Sequence, residues 1–191
     1  EIGNRFANNI QQAVGRVRTT PAGLKGLPED FIKSHPADEQ GVVTITTNYP
    51  DLNPVMKYAQ DDDLRYRLRK AARSRAYPEN EEVLRQLLSK RYEYARLLGF
   101  ENYAQLAMSD SMIGDPGQAR EFLDEIRHAL QKPLAKEKAQ KLALLRTIDP
   151  DAERVEVWQA NYIDNLILQR NYGLDAKLLR EYFEYKNVRD G

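Results

Sequence analysis

The two histidines are the first candidates for metal or acid–base chemistry. His35 and His128 are the only histidines of the chain, and they lie far apart in sequence. No His-Glu-x-x-His pattern occurs, so the helical zinc motif is absent. His35 precedes Pro36 in a predicted loop, and His128 falls on the polar side of a predicted helix. We therefore expect both to be solvated surface residues, and we assign no catalytic or metal-binding residue to the chain.

Carboxylates form two further candidate groups. Asp61, Asp62 and Asp63 could bind a hard cation, but they lack the alternating spacing and the glycine of an EF-hand loop. They lie where a helix is predicted to begin, and anions stabilise that end of a helix. Capping is therefore the favoured interpretation. The pair Glu81-Glu82 could act in acid–base chemistry, but with 29 acidic residues such pairs arise by chance.

A basic run is the most polarised feature of the sequence. Six cations and no acid occur within eleven residues: Arg65, Arg67, Arg69, Lys70, Arg73 and Arg75. On a helix these positions spread around the axis, whereas a nucleic-acid site needs a stripe with aromatics beside it. The 29 basic and 29 acidic residues also cancel, which leaves no field to attract a polyanion. We predict a solvated face with internal ion pairs, with a phosphate-binding patch as the alternative.

Several other chemistries are excluded by residue type. Without cysteine the chain has no disulfide, thiolate zinc site or iron–sulfur ligand. It contains neither a glycine-rich phosphate loop nor a serine in a nucleophile elbow. Its Trp158 and many tyrosines fall mostly at helical spacing, which predicts core or half-buried packing, with a peptide-contacting groove as the alternative. These tyrosines are Tyr92, Tyr94, Tyr103, Tyr162, Tyr172, Tyr182 and Tyr185.

The composition predicts a globular chain outside membranes. Of its 191 residues 41% are hydrophobic and 30% are charged, which is too apolar and too balanced for a disordered tail. A chain of this size can bury about 70% of the surface that its unfolded form exposes. It has no apolar stretch of about 20 residues and no secretory leader at its start. The missing cysteines and leader predict a cytoplasmic location.

Helical periodicity dominates, so we predict a mostly all-α fold: a multi-helix lobe with one short β-strand near residues 42–47. Phe6, Ile10, Val14 and Val17 step by four, four and three, which predicts a first helix. Further helices are predicted to begin or end at punctuating residues. These are the caps Asn80, Asn102, Asp115 and Asp175, the terminal glycines Gly99 and Gly173, the breaker Pro78, and Pro133, which should end or kink a helix.

The predicted strand needs a pairing partner, and the sequence shows no strong candidate for one. Val43, Ile45 and Thr47 should share one face. A lone strand cannot satisfy its own backbone groups, and no other segment has a strong strand pattern. Together with a start at Glu1, this favours missing sequence. A weak extended segment elsewhere in the chain and a homodimer contact are the alternatives.

The most specific phrase of the sequence is Leu97-Leu98-Gly99-Phe100-Glu101-Asn102-Tyr103-Ala104. Together with several other phrases, in the same order, it resembles the zinc-dependent oligopeptidases. The chain departs from the family at Gln159, where an acid usually follows the tryptophan, and at Ile163, where a second aromatic is frequent. Both departures indicate a divergent branch. Other matching phrases are Gly26–Phe31, the strand with Tyr49-Pro50, Pro54-Val55-Met56, Leu64–Ala76, Met112, Trp158, Tyr162, Tyr172, Leu174-Asp175, Tyr182-Phe183, Val188 and Gly191.

The resemblance implies two mostly helical lobes around a deep channel, in which zinc activates a water. The family's zinc motif and downstream glutamate ligand would lie beyond this chain. Residues 1–191 would then form a single non-catalytic helical segment of one lobe, with a possible break near 48–60. The chain alone would be inactive and hold no zinc, and its partners would be short peptides and the rest of the parent chain. The alternatives are a stand-alone peptide- or protein-binding module and, more weakly, a nucleic-acid binder.

Overall fold

The computed structural model describes residues 1–173 and Arg189. This part of the chain confirms the mostly all-α prediction: it forms eight α-helices, a short 3-10 turn at Pro21–Leu24 and a two-stranded sheet. The helices are α1 (Ile2–Gln12), α2 (Glu29–Ser34), α3 (Tyr49–Tyr58), α4 (Asp62–Arg73), α5 (Asn80–Leu97), α6 (Tyr103–Met108), α7 (Pro116–Leu145) and α8 (Ala160–Tyr172). The strands are β1 (Arg16–Thr19) and β2 (Val43–Thr46).

The chain divides into two compact units. The first unit comprises Glu1–Ala13 and Arg75–Glu137, and the second comprises Val14–Ser74 and Lys138–Gly191. Residues 48–60, where we predicted a possible break, lie inside the second unit, and most of them form α3. The assignment of the chain to one segment of a lobe stays a prediction.

The second unit has a continuous apolar core beneath its sheet. β1 and β2 run antiparallel, with Val17 opposite Ile45 and Thr19 opposite Val43. Val43, Ile45 and Thr47 are all buried, which confirms the predicted inward face of the strand. Side chains from α2, α3 and α4 cover that face and complete the core. Its members are Val17, Leu24, Leu27, Phe31, Val43, Ile45, Leu52, Val55, Met56, Ala59, Leu64 and Leu68.

The prediction that β2 lacks a partner in this chain was wrong. α1 ends at Gln12, and Val17, which we placed in the first helix, belongs to β1. Val17 satisfies the helical spacing by coincidence, and β1 holds too few apolar residues to give a strand pattern of its own. The weak extended segment named as an alternative is therefore the partner, and this argument for missing sequence is withdrawn.

Most predicted helix signals are confirmed at the caps. Asp61 accepts a hydrogen bond from the backbone N–H of Leu64 (3.0 Å), and Asn102 accepts one from Gln105 (3.0 Å). Asp115 accepts from the N–H groups of Gly117 (2.7 Å) and Gln118 (3.2 Å), directly before Pro116. The predicted terminal glycines, Gly99 and Gly173, have φ values of 84° and 59°. The cap predicted at Asp175 lies outside the described residues.

One of the predicted helix boundaries was wrong. Asn80 does not cap α5, because it already lies in the helix and Glu79 occupies the cap position. Its side chain instead donates to the Phe6 carbonyl (3.0 Å) and accepts from Asn9 (2.8 Å), which joins α5 to α1. At Pro133, where we predicted an end or a kink, α7 does not end but continues as one helix, and the kink stays a prediction. A proline removes one backbone hydrogen bond, and the strong helix formers around it keep the helix on both sides.

The first unit has a much smaller core. Its only buried apolar residues among those described are Ala76, Val83 and Ala95. From α5, Val83 and Ala95 belong to this core, while Leu84 and Leu88 are exposed. The hydrogen bonds of Asn80 and the one from Arg5 Nη2 to Gln86 Oε1 (2.6 Å) join α1 to α5.

Candidate functional site

A polar cluster in the second unit joins the start of α4 to the start of α8. Asp62 Oδ1 accepts hydrogen bonds from Arg65 Nη2 (2.5 Å) and Gln159 Nε2 (3.1 Å), and its Oδ2 accepts one from Trp158 Nε1 (2.9 Å). Because Asp61 already caps α4, the Asp62 carboxylate is free to reach across to these donors. We call Asp62, Arg65, Tyr66, Trp158, Gln159 and Tyr162 the Asp62 cluster.

Arg65 is the buried cation of the Asp62 cluster. It is only 3% exposed, so its charge needs partners inside the protein. Besides Asp62, its Nη1 donates to the Ala59 carbonyl, and its guanidinium lies 4.2 Å from the centre of the Tyr162 ring. Carboxylate, carbonyl and ring replace part of the lost water, while Arg65 Nε is buried without a hydrogen-bond partner. The prediction of a solvated basic face was therefore wrong for Arg65, whereas the predicted internal ion pairing is confirmed.

The aromatic part of the cluster packs edge to face. The rings of Tyr66 and Trp158 have centroids 4.9 Å apart and an interplanar angle of 67°. Trp158 and Tyr162 are half-buried, which confirms the packing predicted for both. The same prediction was wrong for other tyrosines, which are exposed. These are Tyr92, Tyr94, Tyr103 and Tyr172, while Tyr182 and Tyr185 lie outside the described residues.

An open cleft of about 360 Å³ lies beside the cluster. Four carboxylates line it, from Asp62, Asp149, Glu153 and Glu156, together with Arg154. Arg154 Nε is paired with Glu156 Oε1 (2.6 Å), and Asp62 is occupied by its three donors. Across residues 1–173 and Arg189, no three His, Cys, Asp or Glu side chains are arranged to hold a metal ion. The Asp62 cluster therefore links the start of α4 to the start of α8 by hydrogen bonds.

His35 is not the solvated residue that we predicted. Its side chain is 17% exposed, and its ring stacks on Phe31 with centroids 4.2 Å apart. Nδ1 lies 2.9 Å from the Phe31 carbonyl, and Nε2 lies 3.2 Å from Asp51 Oδ1. The other Asp51 oxygen accepts from the backbone N–H (2.8 Å) and hydroxyl (2.5 Å) of Thr46. His35 thus ties α2 to α3, a role that its place before Pro36 does not reveal.

The remaining candidates are surface groups. His128 is exposed as predicted, with Nδ1 2.7 Å from the Asp124 carbonyl. Arg67 pairs with Asp63 (2.6 Å), as the prediction of internal ion pairs requires. Glu82 accepts hydrogen bonds from Arg85 and Gln86 of its own helix, which is an ordinary arrangement for an exposed helix face.

Sequence reasoning missed Asp62 as the centre of the cluster. The i, i+3 spacing of Asp62 and Arg65 was a usable signal, since such pairs meet on a helix. The contacts of Asp62 with Trp158 and Gln159 cross more than 90 positions, and no local pattern predicts them.

The chain belongs to peptidase family M3. The model of that family, Peptidase family M3, matches residues 55–191, the greater part of the chain and all of the Asp62 cluster. This confirms the resemblance to the zinc-dependent oligopeptidases.

Curated relatives match along almost the whole chain. Oligopeptidase A of Salmonella typhimurium is 29% identical over all of this chain, which covers 30% of that protein. Oligopeptidase A of Escherichia coli is 28% identical with the same coverage. Saccharolysin of Saccharomyces cerevisiae is 29% identical over 93% of this chain, which covers 26% of that protein. The chain therefore spans less than a third of the length of these relatives.

The length and hydrophobicity of the helices decide whether one of them could cross a membrane. In residues 1–173 and at Arg189, no helix is both long enough and apolar enough to cross a bilayer.

Proposed function

We propose that this chain is a non-catalytic helical portion of a zinc metallo-oligopeptidase that hydrolyses short peptides. The observation that carries the proposal is the family match over residues 55–191 in a chain that covers only 30% of its relatives' length. The contribution of the chain would be a wall of a channel that admits short peptides. Peptide-bond hydrolysis would be carried out elsewhere in the longer polypeptide.

The residues described here do not fit a zinc ion. His35 is engaged with Asp51, and His128 with a carbonyl of its own helix. No third ligand joins either of them among residues 1–173 and Arg189. The zinc of the proposed enzyme would therefore be held outside this part of the chain, and no step of hydrolysis is assigned to its residues.

The proposed partners are short peptides and the remaining part of the parent chain. Exposed leucines and tyrosines on α5, such as Leu88 and Tyr92, support a surface that other protein covers. Nucleic acid is not among the proposed partners, because the charges of the basic run are partly used in ion pairs with Asp62 and Asp63. We also propose a cytoplasmic location, which fractionation of source cells would test.

The decisive experiment measures the natural protein. An antibody raised against this chain should detect an endogenous protein about three times its 22.1 kDa mass. The protein captured by that antibody should cleave short peptides, lose activity with a zinc chelator and regain it with zinc. The 191-residue chain alone should cleave no peptide, with or without added zinc. A large endogenous protein without chelator-sensitive cleavage, or zinc-dependent cleavage by the purified chain, would contradict the proposal.

A stand-alone binding module is the second candidate. The exposed side chains of Leu84, Leu88 and Tyr92, at i, i+4 and i+8 on α5, favour it because they form one apolar row. On this alternative the endogenous protein has a mass close to 22.1 kDa. A peptide or partner protein would then copurify with it, and no peptide would be cleaved.

A further inference from the structure

α7 carries an uncovered apolar stripe within the first unit. No residue from Pro116 to Glu137 is buried. Five large apolar side chains of this stretch are 39–63% exposed: Phe122, Leu123, Ile126, Leu130 and Leu134. Four of them follow each other at i+4 steps, so they lie along one side of the helix. We call these five residues the α7 stripe.

The opposite side of α7 is polar. At about 100° per residue, Glu121, Asp124, His128 and Lys132 lie across the helix from Ile126. Apolar residues on one side and charged residues on the other are typical of a helix that packs against protein. Most of the stability of a helix in a protein comes from such packing, because isolated helices are marginal in water. The stripe therefore has the pattern of a packing face, and none of its residues is buried by the described part of the first unit.

We propose that the α7 stripe docks against an apolar surface in the part of the same polypeptide that lies outside these 191 residues. This inference rests on the proposed function, because it requires the longer protein. The chain covers only 30% of the length of the oligopeptidase A relatives, so such a protein offers ample further chain to cover the stripe. The stripe itself contains no charge, so the complementary surface is apolar as well.

A second copy of the chain fits the stripe less well. A stable dimer interface uses about 20–30 residues on each side, whereas the stripe supplies five. A segment tethered in the same polypeptide needs a smaller contact area, because its effective concentration is already high. The size of the stripe therefore favours an intramolecular partner.

The test compares Ile126→Glu with His128→Glu. Both variants introduce the same good helix former, and the two positions lie on opposite sides of α7. Each is made in the longer natural protein and in the 191-residue chain, and amide hydrogen exchange of residues 116–137 is measured. In the longer protein we expect Ile126→Glu to speed this exchange about tenfold or more, because local opening becomes easier. His128→Glu should leave it unchanged, and in the 191-residue chain both variants should exchange like the parent.

Ile126→Ala is the second variant, should the glutamate prevent folding. It should speed exchange in the longer protein to a smaller extent, with His128→Ala as its control. Equal exchange of the position-126 and position-128 variants in the longer protein would overturn the inference. So would a concentration-dependent dimer of the 191-residue chain that Ile126→Glu dissociates, because a second copy would then be the occupant. If Ile126→Glu acts selectively but the longer protein cleaves no peptide, the docking surface stands and the proposed peptidase function fails.

Discussion

The two compact units differ in the contacts that stabilise them. The second unit buries a continuous core of twelve apolar residues and one ion-paired cation, Arg65. The first unit buries few apolar side chains among those described and relies on polar contacts such as those of Asn80. The difference teaches that a similar density of apolar residues in sequence does not give a similar core. Which apolar residues are buried depends on whether another element lies opposite them.

The largest expected effect is the difference in stability loss between a leucine substitution in the second unit and one in the first. Leu68 is fully buried in the second unit, so Leu68→Ala should destabilise the protein by about 2–5 kcal/mol through lost burial and a cavity. Leu88 is exposed in the first unit, and Leu88→Ala should change stability by about 0.5 kcal/mol or less. Urea denaturation of both variants measures the contrast. Similar losses for the two substitutions would show that the first unit is packed more tightly than its exposed leucines indicate.

A second prediction concerns the Asp62 cluster. Asp62→Asn removes the charge that offsets buried Arg65 and should cost about 2 kcal/mol. That figure is below the usual cost of breaking a buried pair, because Asp62 itself is half exposed. Asp63→Asn is the matched control, since Asp63 pairs with Arg67 at the surface, and its cost should be about 0.5 kcal/mol or less. Equal costs in chemical denaturation would mean that Arg65 does not depend on Asp62.

Replacing two glycines by alanine should change the stability of the protein in opposite directions. A Cβ at Gly15 would lie 3.0 Å from Thr47 Cγ2 and 3.4 Å from the Ala71 Cβ, so Gly15→Ala should destabilise the second unit by about 1–2 kcal/mol. A Cβ at Gly3 meets only Leu87 Cδ1, at 4.0 Å, within α1. Gly3→Ala should therefore stabilise the first unit by about 0.5–1 kcal/mol. Thermal denaturation measures the direction of both changes, and a stabilising Gly15→Ala would contradict the close packing of Gly15 against Thr47 and Ala71.

The smallest expected effect is a pH dependence on α5. The hydrogen bond from Lys90 lowers the pKa of Glu93 from its ordinary value of 4.5. Because the folded-state pKa is the lower one, this contact stabilises the helix above that value, and its contribution is lost as the pH falls through the folded pKa. The helical circular dichroism of Glu93→Gln should therefore lack a small component of the acid titration seen in the parent. An identical titration would show that the pair contributes nothing.

The sequence was most informative where a residue acts on its neighbours in the chain. The caps at Asp61, Asn102 and Asp115 act through neighbouring backbone groups, so residue type and position sufficed to predict them. The inward face of β2 followed from alternation alone. Family membership also followed, because the matching phrases run in order along the chain.

The sequence was insufficient wherever the partner is distant. Val17 fits a helix and a strand equally well, and only pairing with Ile45 decides between them. His35 has the surroundings of a loop residue until Asp51 of α3 reaches it. Asp62 was predicted only as a helix-start anion, because its donors Trp158 and Gln159 lie 96 and 97 positions away in sequence. Such residues become recognisable only when tertiary contacts are known.

The side-chain contacts of the small sheet have a consequence for solubility. Asp51 accepts from the N–H of Thr46, and Arg67 Nη1 donates to the carbonyl of Arg18 (2.8 Å). Both backbone groups face away from the neighbouring strand, one on each outer edge of the pair. An open edge is a template on which another chain can add a strand and begin to aggregate. By occupying one group on either edge, these two side chains hinder such addition and help to keep a two-stranded sheet from growing between molecules.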